Sequence, residues 1–130
     1  MKILVIDDEE LVLKNLQEFL LGLDGVDGVW VAPDGKQGLT AFETALDSGD
    51  GGFDLVFTDR RMPPGMFGEE VVREIKRLSP KTFVVLMSGD GREEVARIGI
   101  AAGADKIFFK PVRLESIEKA VLEAISASKG

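Results

Sequence analysis

Five short apolar runs punctuate the chain, at residues 3–6, 29–32, 53–58, 83–87 and 107–109. They are rich in β-branched and aromatic side chains. Several are apolar at almost every position, the pattern of a strand covered on both faces. Between them apolar residues recur at helical spacing. Val12, Leu16, Phe19, Leu20 and Leu23 form one stripe, and Val71, Val72, Ile75 and Leu78 a second. Val95, Ile98 and Ala102 form a weaker third, and Leu114, Ile117, Val121 and Ile125 the last. Residues 36–46 also read as a helix, with Asp34 placed to cap it. Turn dipeptides at Asp24-Gly25, Asp27-Gly28, Asp50-Gly51 and Asp90-Gly91 support the boundaries. A strand–helix unit repeated five times predicts an α/β domain: a parallel five-stranded sheet with helices on both faces and right-handed crossovers.

Composition narrows what such a domain can do. At 130 residues the chain fits one domain, 1–130, with little room for a second. The glycine-rich stretch 48–52 reads as a connector, because too little chain lies on either side for a domain boundary. The net charge of −7 opposes binding to nucleic acid or an anionic membrane surface. Cysteine and histidine are both absent, which excludes disulfides, thiol chemistry, Cys/His zinc sites and Ser-His-Asp triads. The first apolar run breaks at Asp7-Asp8-Glu9-Glu10, too short for a secretory signal or a membrane helix. A soluble, cytoplasmic location is the expectation.

In open α/β sheets, ligands bind beyond the carboxyl ends of the strands. The first strand ends in Asp7-Asp8, the third in Asp59, the fourth in Ser88 and the fifth in Lys110-Pro111. Taken singly, each has an ordinary reading: Asp8 as a helix cap, Asp59 as a solvated loop acid, Ser88 as a turn residue, Lys110 as a surface lysine. Taken together they bring three carboxylates, a hydroxyl and an ammonium to one edge of the sheet. Clustered carboxylates repel, and a hard divalent cation such as Mg2+ removes that penalty while reserving positions for phosphate oxygens. A carboxylate can attack phosphorus to give an acyl phosphate, with the cation and a lysine offsetting charge on the transferring group. The parts match phosphoryl transfer to an aspartate.

With these residues in view, the sequence resembles the receiver domain of two-component response regulators over nearly its whole length. The resemblance rests on Ile3-Leu4-Val5-Ile6-Asp7-Asp8-Glu9, Asp34-Gly35, Asp59-Arg60-Arg61-Met62-Pro63, Met87-Ser88-Gly89, Ala102-Gly103-Ala104-Asp105 and Lys110-Pro111, in order and at matching spacing. It implies the flavodoxin-like strand order 2-1-3-4-5. It also implies that Asp59 is the phosphoacceptor, that Asp8 and Asp59 hold Mg2+ (or Mn2+ in its place), that Asp7 acts through a metal-bound water, and that the Arg61 backbone carbonyl is a further ligand. Ser88 and Lys110 would contact the phosphoryl group, Gly89 would leave its pocket open, and a cis bond before Pro111 would aim Lys110 inward. The implied donor is a histidine kinase or histidine phosphotransfer protein. The implied output surface is formed by the fourth helix, fifth strand and fifth helix, including Ile107 and parts of 92–98 and 114–119. With no effector domain in the sequence, the chain reads as a stand-alone receiver or as part of a longer regulator or hybrid kinase. It would be a switch acting on its own phosphorylation, not an enzyme with turnover.

Four departures from the family pattern stand out. The loop 62–68 carries one extra residue, and the connector 48–52 is long. Ile107 stands where the family has an aromatic switch residue, with Phe108 directed to the opposite side of its strand. Arg61 and Asp90, each two residues beyond a site residue, are expected to pair as a gate on hydrolytic water. Three rival readings remain beside the receiver. An aspartyl-nucleophile hydrolase would need a second acid at the position of Arg61. A flavodoxin-like cofactor binder would need a phosphate loop where Asp7-Asp8-Glu9-Glu10 stands. A degenerate receiver would serve as a scaffold without being phosphorylated.

Overall fold

The protein is described by a computed structural model covering residues 1–49 and 51–129. Five strands alternate with five helices: β1 (Lys2–Ile6), α1 (Glu10–Leu21), β2 (Gly28–Ala32), α2 (Gly35–Asp47), β3 (Leu55–Asp59), α3 (Gly68–Leu78), β4 (Phe83–Ser88), α4 (Glu93–Ala102), β5 (Lys106–Phe109) and α5 (Leu114–Lys129). The strands form one parallel sheet in the order β2-β1-β3-β4-β5. This is the predicted architecture and strand order.

Alternation along β1 divides the core into two layers. Ile3 and Val5 face one side, where Leu13, Leu16 and Leu20 of α1 meet Ile117, Ala120, Val121 and Ala124 of α5. Leu4 and Ile6 face the other, against Phe42 of α2, Val71, Val72 and Ile75 of α3, and Ala102 of α4. Because every central strand is covered on both faces, β3 is buried at each of its positions. Local chemistry fixes the ends. Asp34 accepts a hydrogen bond from the Gln37 backbone N–H at 2.8 Å, as its predicted capping role requires. Acidic Glu69 and Glu70 open α3 while Lys76 and Arg77 close it, matching the helix dipole.

The predicted stripes need adjustment at their margins. In α1 the buried positions include Leu13, outside the predicted stripe, while Val12 and Phe19 lie at the edge of the cluster. In α5 the first predicted core residue, Leu114, is exposed, and the small residues Ala120 and Ala124 are buried instead. Phe53 is buried just ahead of β3 rather than within it. Of the expected turns, Asp50 lies outside the described residues, as does Gly130 at the end of the predicted domain.

Candidate functional site

The carboxyl end of the sheet assembles the site. Hydrogen bonding from Asp7 N–H to Ala32 O continues the β1–β2 ladder by one residue and fixes where the Asp7 side chain emerges. That side chain is fully buried, and its Oδ1 accepts from the Glu9 backbone N–H at 2.9 Å. Asp8, which taken singly reads as a cap on α1, makes no such cap: the N-cap is Glu9, with no side-chain cap bond, and Asp8 is exposed beside the cleft. The ordinary reading of Asp8 thereby falls away. Asp59 closes β3 and is buried, its Oδ1 accepting from the Arg60 backbone N–H at 2.9 Å.

Asp7, Asp8 and Asp59 each present a carboxylate oxygen within 4.8 Å of the other two. Lys110 enters from the end of β5, with Nζ at 3.0 Å from Asp7 Oδ2, 3.3 Å from Asp59 Oδ1 and 4.0 Å from Glu9 Oε1. The Lys110–Pro111 peptide bond is cis, and so is Pro63–Pro64. One ammonium among these acids leaves the cluster strongly negative. The consequence falls on Asp59: burial first, then the neighbouring Asp7 charge, push its carboxyl up to about 6, against the opposing pull of Lys110. For Lys110, burial acts to lower the ammonium's pKa, but the hydrogen bond to Asp7 and the charges of Asp59 and Asp7 together raise it.

Above these groups lies an open cleft of about 530 Å³, lined among others by Asp8, Asp59, Arg61, Ser88, Asp90 and Lys110. Every predicted site residue except Asp7 and Ile107 borders it; Asp7 lies beneath, in contact with Lys110, and Ile107 packs in the core layer behind it. A side chain at Gly89 would meet nothing within 4 Å, so space is open at that point. Ser88 donates to the Asp90 carbonyl at 3.2 Å and accepts from the Asp90 N–H at 3.0 Å, so its hydroxyl is engaged by its own loop. Ile107 belongs to the α2–α3–α4 layer and Phe108 to the opposite one, as strand alternation predicts. Gly99 of α4 sits so close to Ile107 that a Cβ there would collide with the isoleucine Cδ1.

The expected Arg61–Asp90 pair is not formed. Arg92, two residues along the same loop, reaches back to grip both Asp90 oxygens, Nε at 3.0 Å and 2.9 Å and Nη2 at 2.6 Å. That fork, aided by the Arg92 backbone N–H, holds the Asp90 carboxyl below its usual range. An arginine two positions away in one turn has less chain to order than one on another strand's loop, so proximity decides the contest. Arg92 was missed because Asp90-Gly91-Arg92 places it near Asp90 without ranking it above Arg61. Also missed were Glu9, which flanks Lys110, and the part-buried Arg60–Glu69 pair, joined at 3.1 Å.

A parallel 2-1-3-4-5 sheet with an Asp–Asp, Asp, Ser and Lys at its strand ends defines a class, and comparison with known proteins bears this out. Residues 3–122 match the response regulator receiver domain family, and the chain belongs to that family. It is 34% identical over 118 residues to the two-component response regulator ARR14 of Arabidopsis thaliana, spanning 91% of this chain and 29% of that protein. It is 30% identical over 116 residues to the two-component response regulator ORR41 of Oryza sativa subsp. japonica, spanning 89% of this chain and 87% of that one. The chain thus covers under a third of ARR14 but most of ORR41. Among solved structures, a response regulator receiver domain protein from Clostridium thermocellum superposes with a TM-score of 0.84 at 35% identity, covering 98% of this chain and 96% of that one. The BeF3-activated DrrB receiver domain gives 0.80 at 29%, covering 96% and 97%. Among the described residues, no helix is long and apolar enough to cross a membrane.

Proposed function

We propose that this receiver domain is a working phosphoacceptor, with Asp59 taking the phosphoryl group in a Mg2+-dependent reaction. The observation that carries the reading is the Lys110 ammonium bridging Asp7 and Asp59 inside an acidic cluster that it does not neutralise.

The donor set fits a hard divalent cation. Three carboxylates offer oxygens at mutually close range, no soft ligand is present, and burial beside Asp7 leaves Asp59 reluctant to ionise without further positive charge. Asp8 and Asp59 would hold Mg2+ directly, Asp7 through water, and the Arg61 carbonyl would complete the protein's share; Mn2+ would serve in its place. When bound, the ion supplies positive charge that favours ionised Asp59 and offsets charge on the phosphoryl oxygens.

The chain's own residues do the rest. An ionised Asp59 oxygen attacks phosphorus as the bond from phosphorus to the donor imidazole nitrogen breaks, and the imidazole leaves with the electron pair and regains a proton. Lys110, already poised over Asp59, stabilises the incoming oxygens. Ser88 gives up its bonds to Asp90 and donates to a phosphoryl oxygen. Donor partners are a histidine kinase or histidine phosphotransfer protein. Output follows through the surface of α4, β5 and α5, where Ile100, Phe109 and Leu122 are exposed. Readout need not use an aromatic rotamer, since Ile107 is wedged against Gly99. The scaffold alternative finds no support in a site whose parts are all present.

Intact-mass measurement after incubation with acetyl phosphate tests this. One phosphoryl adduct that appears with Mg2+ and vanishes with EDTA is expected. A folded, Mg2+-binding protein that forms no adduct would contradict it.

A further inference from the structure

The residue after Asp59, Arg60, forms a charged pair with Glu69 that the reaction as described does not use. The Arg60 side chain is 12% exposed and that of Glu69 11%, and Arg60 Nη2 donates to Glu69 Oε2 at 3.1 Å. The guanidinium also stands 5.5 Å from the centroid of the Phe67 ring. Arg60 Nε and Glu69 Oε1 are buried without a hydrogen-bond partner. An arginine cannot escape burial by losing its proton, and a buried ion pair is often no more stabilising than apolar residues of the same size. Stability alone is therefore a poor reason for this pair to stand here.

Its position supplies another. The Arg60 backbone N–H donates to Asp59 Oδ1 at 2.9 Å and to Met87 O at 2.8 Å, and its carbonyl accepts from Gly68 N–H at 2.6 Å. A Cβ at Gly68 would collide with the Asp59 carbonyl, so α3 starts hard against this backbone. The side-chain bond to Glu69 closes a second link between the same two segments. Residues 61–67, the loop between β3 and α3, are thus clipped at their base by a backbone bond and an ion pair. We infer that Arg60, held by Glu69 and Phe67, is a positioning residue that fixes Asp59 Oδ1 and the following Arg61 carbonyl in the direction of the cation site. The inference rests on the proposed Mg2+-dependent function and names what aims its ligands.

Calorimetric Mg2+ titration, with thermal unfolding of the same samples, tests the clip in Arg60→Met, Arg60→Lys, Glu69→Gln and the double variant Arg60→Met/Glu69→Leu. Arg60→Met and Glu69→Gln should weaken Mg2+ binding on the order of 10-fold, the scale found when residues supporting metal ligands are removed. Arg60→Lys should recover part of the loss. The apolar double variant should regain the unfolding temperature but not the Mg2+ affinity, a split that a merely structural pair would not give. Unchanged affinity in the single variants, or recovery of both properties in the double one, would overturn the inference while leaving the proposed function standing. An unaltered chain that binds no Mg2+ would overturn both.

Discussion

Asp59 carries a cost that its neighbours explain. A carboxyl pushed up to about 6 by burial and by Asp7 is one that the folded state prefers protonated. In the unfolded chain the same group titrates near 3.8, so the folded state binds the proton more tightly between those values. The contribution to stability is therefore present below the unfolded value and lost as pH rises through about 6. For the metal-free protein, Asp59→Asn should raise the unfolding temperature at pH 8 by a few degrees, from about 1 kcal/mol once the cleft's access to water is allowed for. At pH 4 the variant and the parent should converge. Mg2+ should stabilise the parent at pH 8 and lose hold as the pH falls below about 6. A variant no more stable than the parent at pH 8 would mean that the Asp59 carboxylate is already satisfied by Lys110.

At the scale of elements, the loop between β4 and α4 decides how free Ser88 is. Its hydroxyl is bonded both ways to the Asp90 backbone, and the Asp90 side chain is forked by Arg92 at the start of α4. Releasing Ser88 toward a phosphoryl group requires this turn to loosen. The fork is largely exposed to solvent, so it adds little to the stability of the fold. Arg92→Ala should then speed phosphorylation by acetyl phosphate by up to ~5-fold, with little change in unfolding temperature. A slower rate would show that Arg92 attracts the donor and does not restrain the loop. The same loop shows the limits of reading sequence. Periodicity located all ten elements, because strands covered on both faces and stripes at helical spacing are strong signals. The strand-end rule likewise brought Asp7, Asp8, Asp59, Ser88 and Lys110 together, since each sits where a parallel strand must stop. Pairing among loop charges was not legible. Arg61 and Arg92 are equally plausible partners for Asp90 on paper, and only the path of the backbone chooses between them. Small core residues were missed for a related reason: Ala120 and Ala124 carry little hydrophobic signal, yet close packing of α5 on the sheet buries them.

For the whole molecule, the two core layers divide the work. The layer under α1 and α5 takes up Val5 of β1 and Phe108 of β5, and the layer under α2, α3 and α4 takes up Ile6 of β1 and Ile107 of β5. Both layers meet at the carboxyl ends of β1, β3, β4 and β5, so a charge added there is felt by each. A phosphoryl group would bring about −1.5 to −2 charge to a site already short of cations. Such a ligand shifts the fold only through its differential affinity for two arrangements, typically ~1–3 kcal/mol. On the proposed function, this would couple the acidic cleft to the surface of α4, β5 and α5 without requiring a large rearrangement. Every part of that account depends on which atom takes the phosphoryl group. The most direct measurement is borohydride trapping after reaction with acetyl phosphate and Mg2+, followed by peptide mass analysis, since reduction of an aspartyl phosphate leaves homoserine in its place. Homoserine at position 59 alone is the predicted result, and homoserine at Asp7 or Asp8, or at no position in a protein that binds Mg2+, would contradict it.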